Sequence, residues 1–241
     1  MSFSRRRVRA IVRKELREYR RNHSIVAGMA IFPLIFLVQP LVAVFATSTA
    51  ASVQLRHHHE LAYLLAIPAL VPATLAAFAI VGERQQGTLE PVLGTPIRRE
   101  ELLLGKALAV LIPSVAIAYA VFGVFLALVA LFAHSGVPSA LIRGPDVLAQ
   151  VVFTPLLAGW SIWLGTAIST RVSETRVAQQ LSTLASLPTI AVTTLIAVNV
   201  IHPTLRLVFG LGIGLLVANR LGWRLVSSLV DRERLIASTG G

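Results

Sequence analysis

The chain has 241 residues, of which 55% are hydrophobic, and a formal net charge of +11. This apolar fraction exceeds the roughly 45–50% of ordinary soluble domains, so the composition indicates an integral membrane protein. In so apolar a chain, the positive charge favours attraction to anionic lipid and control of topology over nucleic-acid binding. The absence of cysteine excludes disulfides, thiol catalysis and thiolate metal sites.

The N-terminal segment, residues 1–22, is predicted to be an amphipathic helix. Apolar side chains recur at helical spacing on one face, at Val8, Ile11, Val12, Leu16 and Tyr19. The other face carries the basic residues Arg5, Arg6, Arg9, Arg13, Lys14, Arg17, Arg20 and Arg21. This pattern is typical of a helix in the cytoplasmic membrane interface, which anchors topology and in some proteins also docks a partner.

Six apolar stretches follow, most of them near the roughly 20 residues that a helix needs to cross a bilayer. They cover residues 25–45, 61–81, 107–132, 147–170, 177–200 and 205–218. We therefore predict an all-α integral membrane protein with six transmembrane helices, built as a single domain over residues 1–241. An even number of spans puts both termini on one side. The only basic residues assigned to the other side are Arg56, Arg143 and Arg206, so the positive-inside rule predicts cytoplasmic termini in the plasma membrane.

The connections on the predicted outer side are short, over residues 47–60, 134–146 and 201–204. They hold several histidines, at His57, His58, His59, His134 and His202. Imidazole is a good metal ligand, but adjacent histidines point in different directions and no carboxylate spacing supports a defined site, so we expect no metal. In the last stretch, Gly210 and Gly214 predict a close approach of two helices.

Catalytic chemistry finds little support in the sequence. No acidic or basic residue lies in the middle of a predicted span, which argues against a carrier driven by an ion gradient. Gly105-Lys106 resembles the end of a phosphate-binding loop, but Ala107 follows it and Glu100 stands where the first glycine is needed. No cluster of serine, histidine and acid can be assembled at one depth. We predict no catalytic residue, so a second chain must supply energy.

The polar segment 83–106 lies between the second and third spans. Gly87 allows a sharp turn, and Thr88 is predicted to cap a short helix. Thr95 caps a second start with Pro96 at its first position, leading into the third span. We expect this segment to display charge to the cytosol, at Arg84, Glu90, Arg98, Arg99, Glu100 and Glu101. Such a mixture of signs favours docking of a partner with complementary charge.

These residues carry a resemblance to a known family. The pattern Glu83-Arg84-x-x-Gly87-Thr88-x-Glu90, then Leu93, Thr95-Pro96, Arg99-x-Glu101 and Gly105-Lys106, resembles the cytoplasmic signature after the second span of type-2 ABC exporter permeases. The resemblance implies a permease subunit that pairs with a second permease copy or homologue and with separate ABC ATPase subunits. ATP and magnesium would bind to the ATPase subunits, and this chain would bind no cofactor itself.

In that family the segment after the second span is a coupling helix that docks on the ATPase. The resemblance carries this role onto Glu83, Arg84, Gly87, Thr88, Glu90, Thr95, Pro96 and Arg99. It places a second, smaller contact at Arg171, Glu174 and Arg176. By the same analogy, spans one, two and five of two permeases would enclose the substrate pathway.

Four polar residues within the predicted spans are candidates for the pathway, namely Gln39, Tyr119, Thr189 and Asn199. Each is alternatively a packing residue whose hydrogen bonds are satisfied inside the bundle. The sequence does not identify the cargo, although the uncharged interior favours a lipid-like or amphiphilic molecule. Two other functions stay open: a non-transporting membrane sensor or assembly protein, and an intramembrane enzyme that acts on lipid. Recovery or absence of a bound ATPase would distinguish them from a permease.

Overall fold

The computed structural model describes residues 3–46, 59–85, 98–134 and 137–238. Within these ranges the chain is helical and contains no strand. Its helices are α1 (Arg5–Arg21), α2 (His23–Phe45), α3 (Glu60–Tyr63), α4 (Ala66–Gln85), α5 (Arg99–Phe132), α6 (Val137–Leu141), α7 (Gly144–Ser169), α8 (Thr175–Ala197) and α9 (Leu205–Ser238). Six candidate spans are long and apolar enough to cross a membrane, which confirms the all-α, six-span membrane class.

The second span lies at the centre of the bundle. Helix α4 packs against α2, α5, α7 and α8, and α1 packs against the first turns of α5. Helix α9 packs mainly against α7. We call the end of the bundle that holds α1 and the start of α5 the α1 end, and the opposite end, where α5 finishes and α7 begins, the far end.

Small side chains allow α4 and α7 to approach closely. On α7, Ser161, Gly165 and Ser169 recur every fourth residue and so lie on one face of the helix. The Ser161 hydroxyl donates to the Ala69 carbonyl at 2.7 Å, and the Val81 amide donates to the Ser169 hydroxyl at 3.2 Å. A Cβ atom at Gly165 would collide with the Ala73 carbonyl. This interface therefore depends on the missing side chain of glycine.

The predicted close approach at Gly210 and Gly214 is wrong within this chain, because a Cβ atom at either position meets nothing within 4 Å. Helix α9 instead packs closely at Gly222, where a Cβ atom would lie 2.7 Å from Trp163 Cβ. Trp163 also stacks edge-on with Trp223, with ring centroids 5.5 Å apart. Sequence spacing alone cannot tell which face of a glycine-containing helix meets a neighbour.

The helix boundaries differ from the predictions at three places. The last helix continues from Leu205 to Ser238, well beyond the predicted end of its span at residue 218, because an arginine ends an apolar run but does not end a helix. The outer connection 134–146 contains the short helix α6, whose Val137 and Leu141 are buried. The second span begins as α3 and turns at Leu64 before α4.

The helix that leads into the third span begins later than predicted. Arg98 has an extended backbone and is the N-cap residue of α5, so this helix starts at Arg99 and not at Pro96. The Glu101 carboxylate accepts a hydrogen bond from the Arg98 amide at 3.1 Å, which satisfies an amide near the start of the helix. Thr95 and Pro96 lie outside the described residues.

Candidate functional site

The α1 end brings together four parts of the chain that are distant in sequence. They are α1, the last turn of α4 at Gln85, the first turns of α5 from Arg98 to Lys106, and the loop 170–174 between α7 and α8. We call this set the α1-end surface. Residues 86–97, which join Gln85 to Arg98, lie outside the described part of the chain.

Arg7 and Glu101 hold the beginning of α1 against the beginning of α5. Arg7 donates from Nε to Glu101 Oε2 and from Nη2 to Oε1, both at 2.8 Å. Oε1 also accepts a hydrogen bond from the Ser4 amide at 2.6 Å. Hydrogen bonding to Glu101 raises the pKa of Arg7; the carboxylate charge adds to this effect and desolvation opposes it. A two-pronged contact of this kind fixes orientation as well as distance.

A second ion pair lies two helical turns further along α1. Lys106 Nζ is 3.2 Å from Glu15 Oε1, and the two side chains are only 7% and 3% exposed. Between the two pairs, a Cβ atom at Gly105 would lie 2.7 Å from Ile11 Cγ2, so the glycine makes room for α1. Helix α1 therefore joins the bundle through two ion pairs and a close apolar contact.

These contacts correct one sequence prediction. Glu101 was expected to face the cytosol, but its side chain is fully buried beneath α1. Glu100 and Arg98 are exposed, as predicted. The basic side chains predicted for the outer face of α1 are exposed as well, at Arg5, Arg6, Arg9, Arg13, Lys14, Arg17, Arg20 and Arg21.

Gln85 links the end of α4 to the loop before α8. Its Nε2 donates to the Ser173 carbonyl at 3.2 Å, and the Thr175 hydroxyl donates to Gln85 Oε1 at 2.6 Å. Because Gln85 belongs to the polar segment 83–106, these bonds place the described beginning of that segment beside the loop. The two regions predicted to contact a partner therefore begin next to each other.

The predicted partner-binding residues are only partly described. Arg171, Glu174 and Arg176 are exposed in and beside the loop, with Glu174 as the N-cap residue of α8. Glu83 and Arg84 lie in the last turn of α4 and Arg99 begins α5, but their side chains lie outside the described part. The remaining candidates fall outside the described residues altogether, namely Gly87, Thr88, Glu90, Thr95 and Pro96.

The four pathway candidates do not converge on one site. Gln39 is exposed on α2, and the Tyr119 hydroxyl donates to the Val151 carbonyl at 2.7 Å. Thr189 lines a cavity between α7, α8 and α9. Asn199 was predicted to lie within a span, but it lies beyond the end of α8, in the turn to α9, with a backbone φ of 60°. Its Oδ1 is 2.9 Å from His202 Nδ1.

Sequence reasoning missed the residues that assemble the α1-end surface. Arg7, Glu15 and Gln85 were assigned no contact with another element, and Lys106 was read only as part of a linear motif. One signal was available in the spacing of α1. Glu15 falls on the same face of the helix as the apolar residues Val8, Ile11 and Tyr19, and not on the basic face. An acid on the buried face of a helix requires a cationic partner.

Comparison with known proteins identifies a family that the sequence matches. The sequence model of a family described as "ABC-2 family transporter protein" matches residues 9–219, which is most of the chain. The match spans part of α1, all of α2 to α8 and about half of α9. No curated protein sequence matches the chain.

Proposed function

Because the chain belongs to the ABC-2 transporter family, and is thus a membrane permease of an ABC transporter, we propose that it exports its cargo by coupling to separate ATPase subunits. In this proposal two permeases form the pathway and the ATPase docks on the α1-end surface. ATP and magnesium bind to the ATPase chain. The termini face the cytoplasm and the protein is located in the plasma membrane.

The main observation that supports the docking proposal is that contacts at the α1 end join the polar segment, the loop 170–174 and α1. The bonds from Gln85 tie the polar segment to the loop with Arg171, while Arg7 and Glu101 tie α1 to the helix that follows the segment. A force that the ATPase exerts on residues 86–97 would therefore be transmitted to α4 and α5 through the chain and to α8 through the bonds of Gln85. Since α4 is the central helix, such a force moves the core of the bundle rather than its edge.

The charge distribution at the α1 end supports the predicted topology and lipid contact. Helix α1 exposes eight basic side chains and packs its other face on α5, so it presents a cationic surface beside the membrane. Basic side chains near anionic headgroups gain about 1 kcal/mol each. We propose that this surface holds α1 against the cytoplasmic leaflet.

Copurification of the ATPase tests the docking proposal through the loop. The double variant Arg171→Glu and Arg176→Glu reverses two exposed charges without removing a described hydrogen bond of their side chains. We expect the copurified ATPase to fall about tenfold or more, because like charges across an interface cost several kcal/mol. Membrane insertion and the thermal stability of the permease should be unchanged.

Arg206→Glu provides the matched control, since Arg206 is an exposed arginine at the far end of the bundle. This variant should retain the ATPase in full. Equal recovery of the ATPase with the loop variant and with wild type would contradict docking at the loop. If no ATPase accompanies the wild-type chain from its native membrane, a sensor or assembly protein becomes the better account.

A further inference from the structure

A cavity of about 320 Å³ lies between α7, α8 and α9, on the side of the bundle toward the far end. This volume is at the lower end of the range for sites that bind small molecules. The cavity lies within a single chain and is remote from the α1-end surface. Its lining residues take no part in the contacts described above, and Thr189 was named there only as a pathway candidate.

The walls of the cavity are largely apolar. Phe153 and Leu157 of α7 line it and are buried, while Val192 of α8 and Leu211 of α9 line it and are exposed. Helices α8 and α9 both pack against α7 but make few contacts with each other along their described lengths. Val192 and Leu211 are 38% and 37% exposed. Since few contacts close the gap between α8 and α9, an alkyl chain can enter the cavity between these helices.

One polar group inside the cavity lacks a partner. Gln150 of α7 is 1% exposed, and neither its Nε2 nor its Oε1 has a hydrogen-bond partner among the described residues. Burying an amide without hydrogen bonds is unfavourable. A bound molecule that both donates and accepts a hydrogen bond would remove this cost.

The charged groups beside Gln150 are already paired. His59 Nδ1 is 3.0 Å from Asp146 Oδ1, and Arg143 Nε is 3.1 Å from Asp146 Oδ2. His59 and Asp146 line the same end of the cavity as Gln150. Because the carboxylate has a cation or an imidazole on each oxygen, this end offers no unbalanced charge to a ligand. The complementary head group is therefore uncharged.

We propose that this cavity binds a single-chain membrane amphiphile whose uncharged head both donates and accepts hydrogen bonds, as a monoacylglycerol does. The alkyl chain lies along Phe153 and Leu157 and leaves between α8 and α9, and the head meets the Gln150 amide. The site needs neither the ATPase nor a second permease.

Photolabelling of the full-length chain in phosphatidylcholine nanodiscs tests the proposal. The probe is 1-monooleoylglycerol with a photoreactive diazirine in its acyl chain. We expect labelled peptides from α7, α8 and α9, displaced by unlabelled monooleoylglycerol but poorly by oleate or oleylamine, which carry a charge. Displacement by oleate as effective as by monooleoylglycerol would overturn the uncharged head group.

Two substitutions on α7 separate binding from folding. Gln150→Leu should reduce labelling about tenfold, since one or two hydrogen bonds are lost. In lipid-only nanodiscs it should not lower the Tm, because it removes an unpartnered amide. Thr154→Val is the matched control: the Thr154 hydroxyl is also buried without a described partner, one turn along, but does not line the cavity. This variant should label like wild type.

A third substitution keeps the test decisive if Gln150→Leu does not fold. Leu211→Trp fills the cavity from its exposed edge, where a larger side chain can be accommodated. It should also abolish labelling. The proposal is overturned if labelling survives Leu211→Trp, if Gln150→Leu labels like wild type, or if Thr154→Val reduces labelling as much as Gln150→Leu.

Discussion

Glu15 and Lys106 show how single residues join α1 to the bundle. Their side chains are only 3% and 7% exposed, and the Lys106 ammonium lies 3.2 Å from the Glu15 carboxylate. A charge removed from water is costly unless opposite charge compensates it; Lys106 supplies such a charge to Glu15, and the exposed Lys14 ammonium lies 3.7 Å from the same carboxylate oxygen. The pair therefore helps to fix the position of α1 along α5.

We predict that Lys106→Leu destabilises the protein by about 1–3 kcal/mol, because it removes the buried partner of Glu15 and leaves the exposed Lys14 ammonium 3.7 Å from the carboxylate. Adding Glu15→Leu should recover most of the loss, since two apolar side chains then pack where the pair was. Thermal unfolding of the three variants in one detergent measures this. A double variant as unstable as Lys106→Leu alone would show that the two charges are not coupled.

Residues that act across long sequence separations could not be predicted from the sequence. Arg7 and Glu101 are 94 positions apart, and a pattern read along one helix cannot reveal such a pair. Glu101 stands in a polar segment with other charges, which is why it was expected to be exposed. The burial of its carboxylate follows only from the way α1 folds back onto α5.

At the scale of elements, the packing of α4 against α7 depends on the absence of side chains. Gly165 lies against the Ala73 carbonyl, and the hydroxyls of Ser161 and Ser169 satisfy backbone groups across the interface. Between helices in lipid, close van der Waals contact and hydrogen bonds replace the hydrophobic effect. The contact between α4 and α7 therefore relies on backbone proximity, and large apolar side chains of α4, such as Ile67, Val71 and Leu75, add to the core around it.

We predict that Gly165→Ala destabilises the bundle by about 1–3 kcal/mol, because the added methyl group meets a backbone carbonyl that cannot move without shifting α4. Gly214→Ala is the matched control in another transmembrane helix, where a Cβ atom meets nothing within 4 Å. It should be neutral or stabilising by roughly 0.5–1 kcal/mol. Equal changes in Tm for the two variants would refute this account of the interface.

The number and type of elements could be predicted because a bilayer imposes simple rules. Length and hydropathy identified the six spans, and the first matches its helix closely, over residues 25–45. Boundaries were less predictable where a helix extends beyond the membrane, as in α5 and α9. There, hydropathy reports the edge of the lipid and not the end of the helix.

At the scale of the whole molecule, the two ends of the bundle differ in construction. Both ends have ion pairs, but at the α1 end they join α1 to α5, whereas the far end has the short helix α6 and a cavity with one unpartnered amide. The family and the fold class were predictable from sequence motifs and composition. The cavity was not, since it arises where α8 and α9 both pack against α7 but make few contacts with each other.

The measurement that tests the central proposal most directly is site-specific crosslinking in native membranes. The chain has no cysteine, so a single introduced thiol reports one position. Ser173→Cys places it in the exposed loop of the α1-end surface, and His134→Cys places it at the exposed far end. We predict that a short bifunctional reagent links Cys at 173 to an ATPase subunit and gives no such product at 134. Absence of the product at 173, with the permease intact and the ATPase present, would contradict docking at the α1 end.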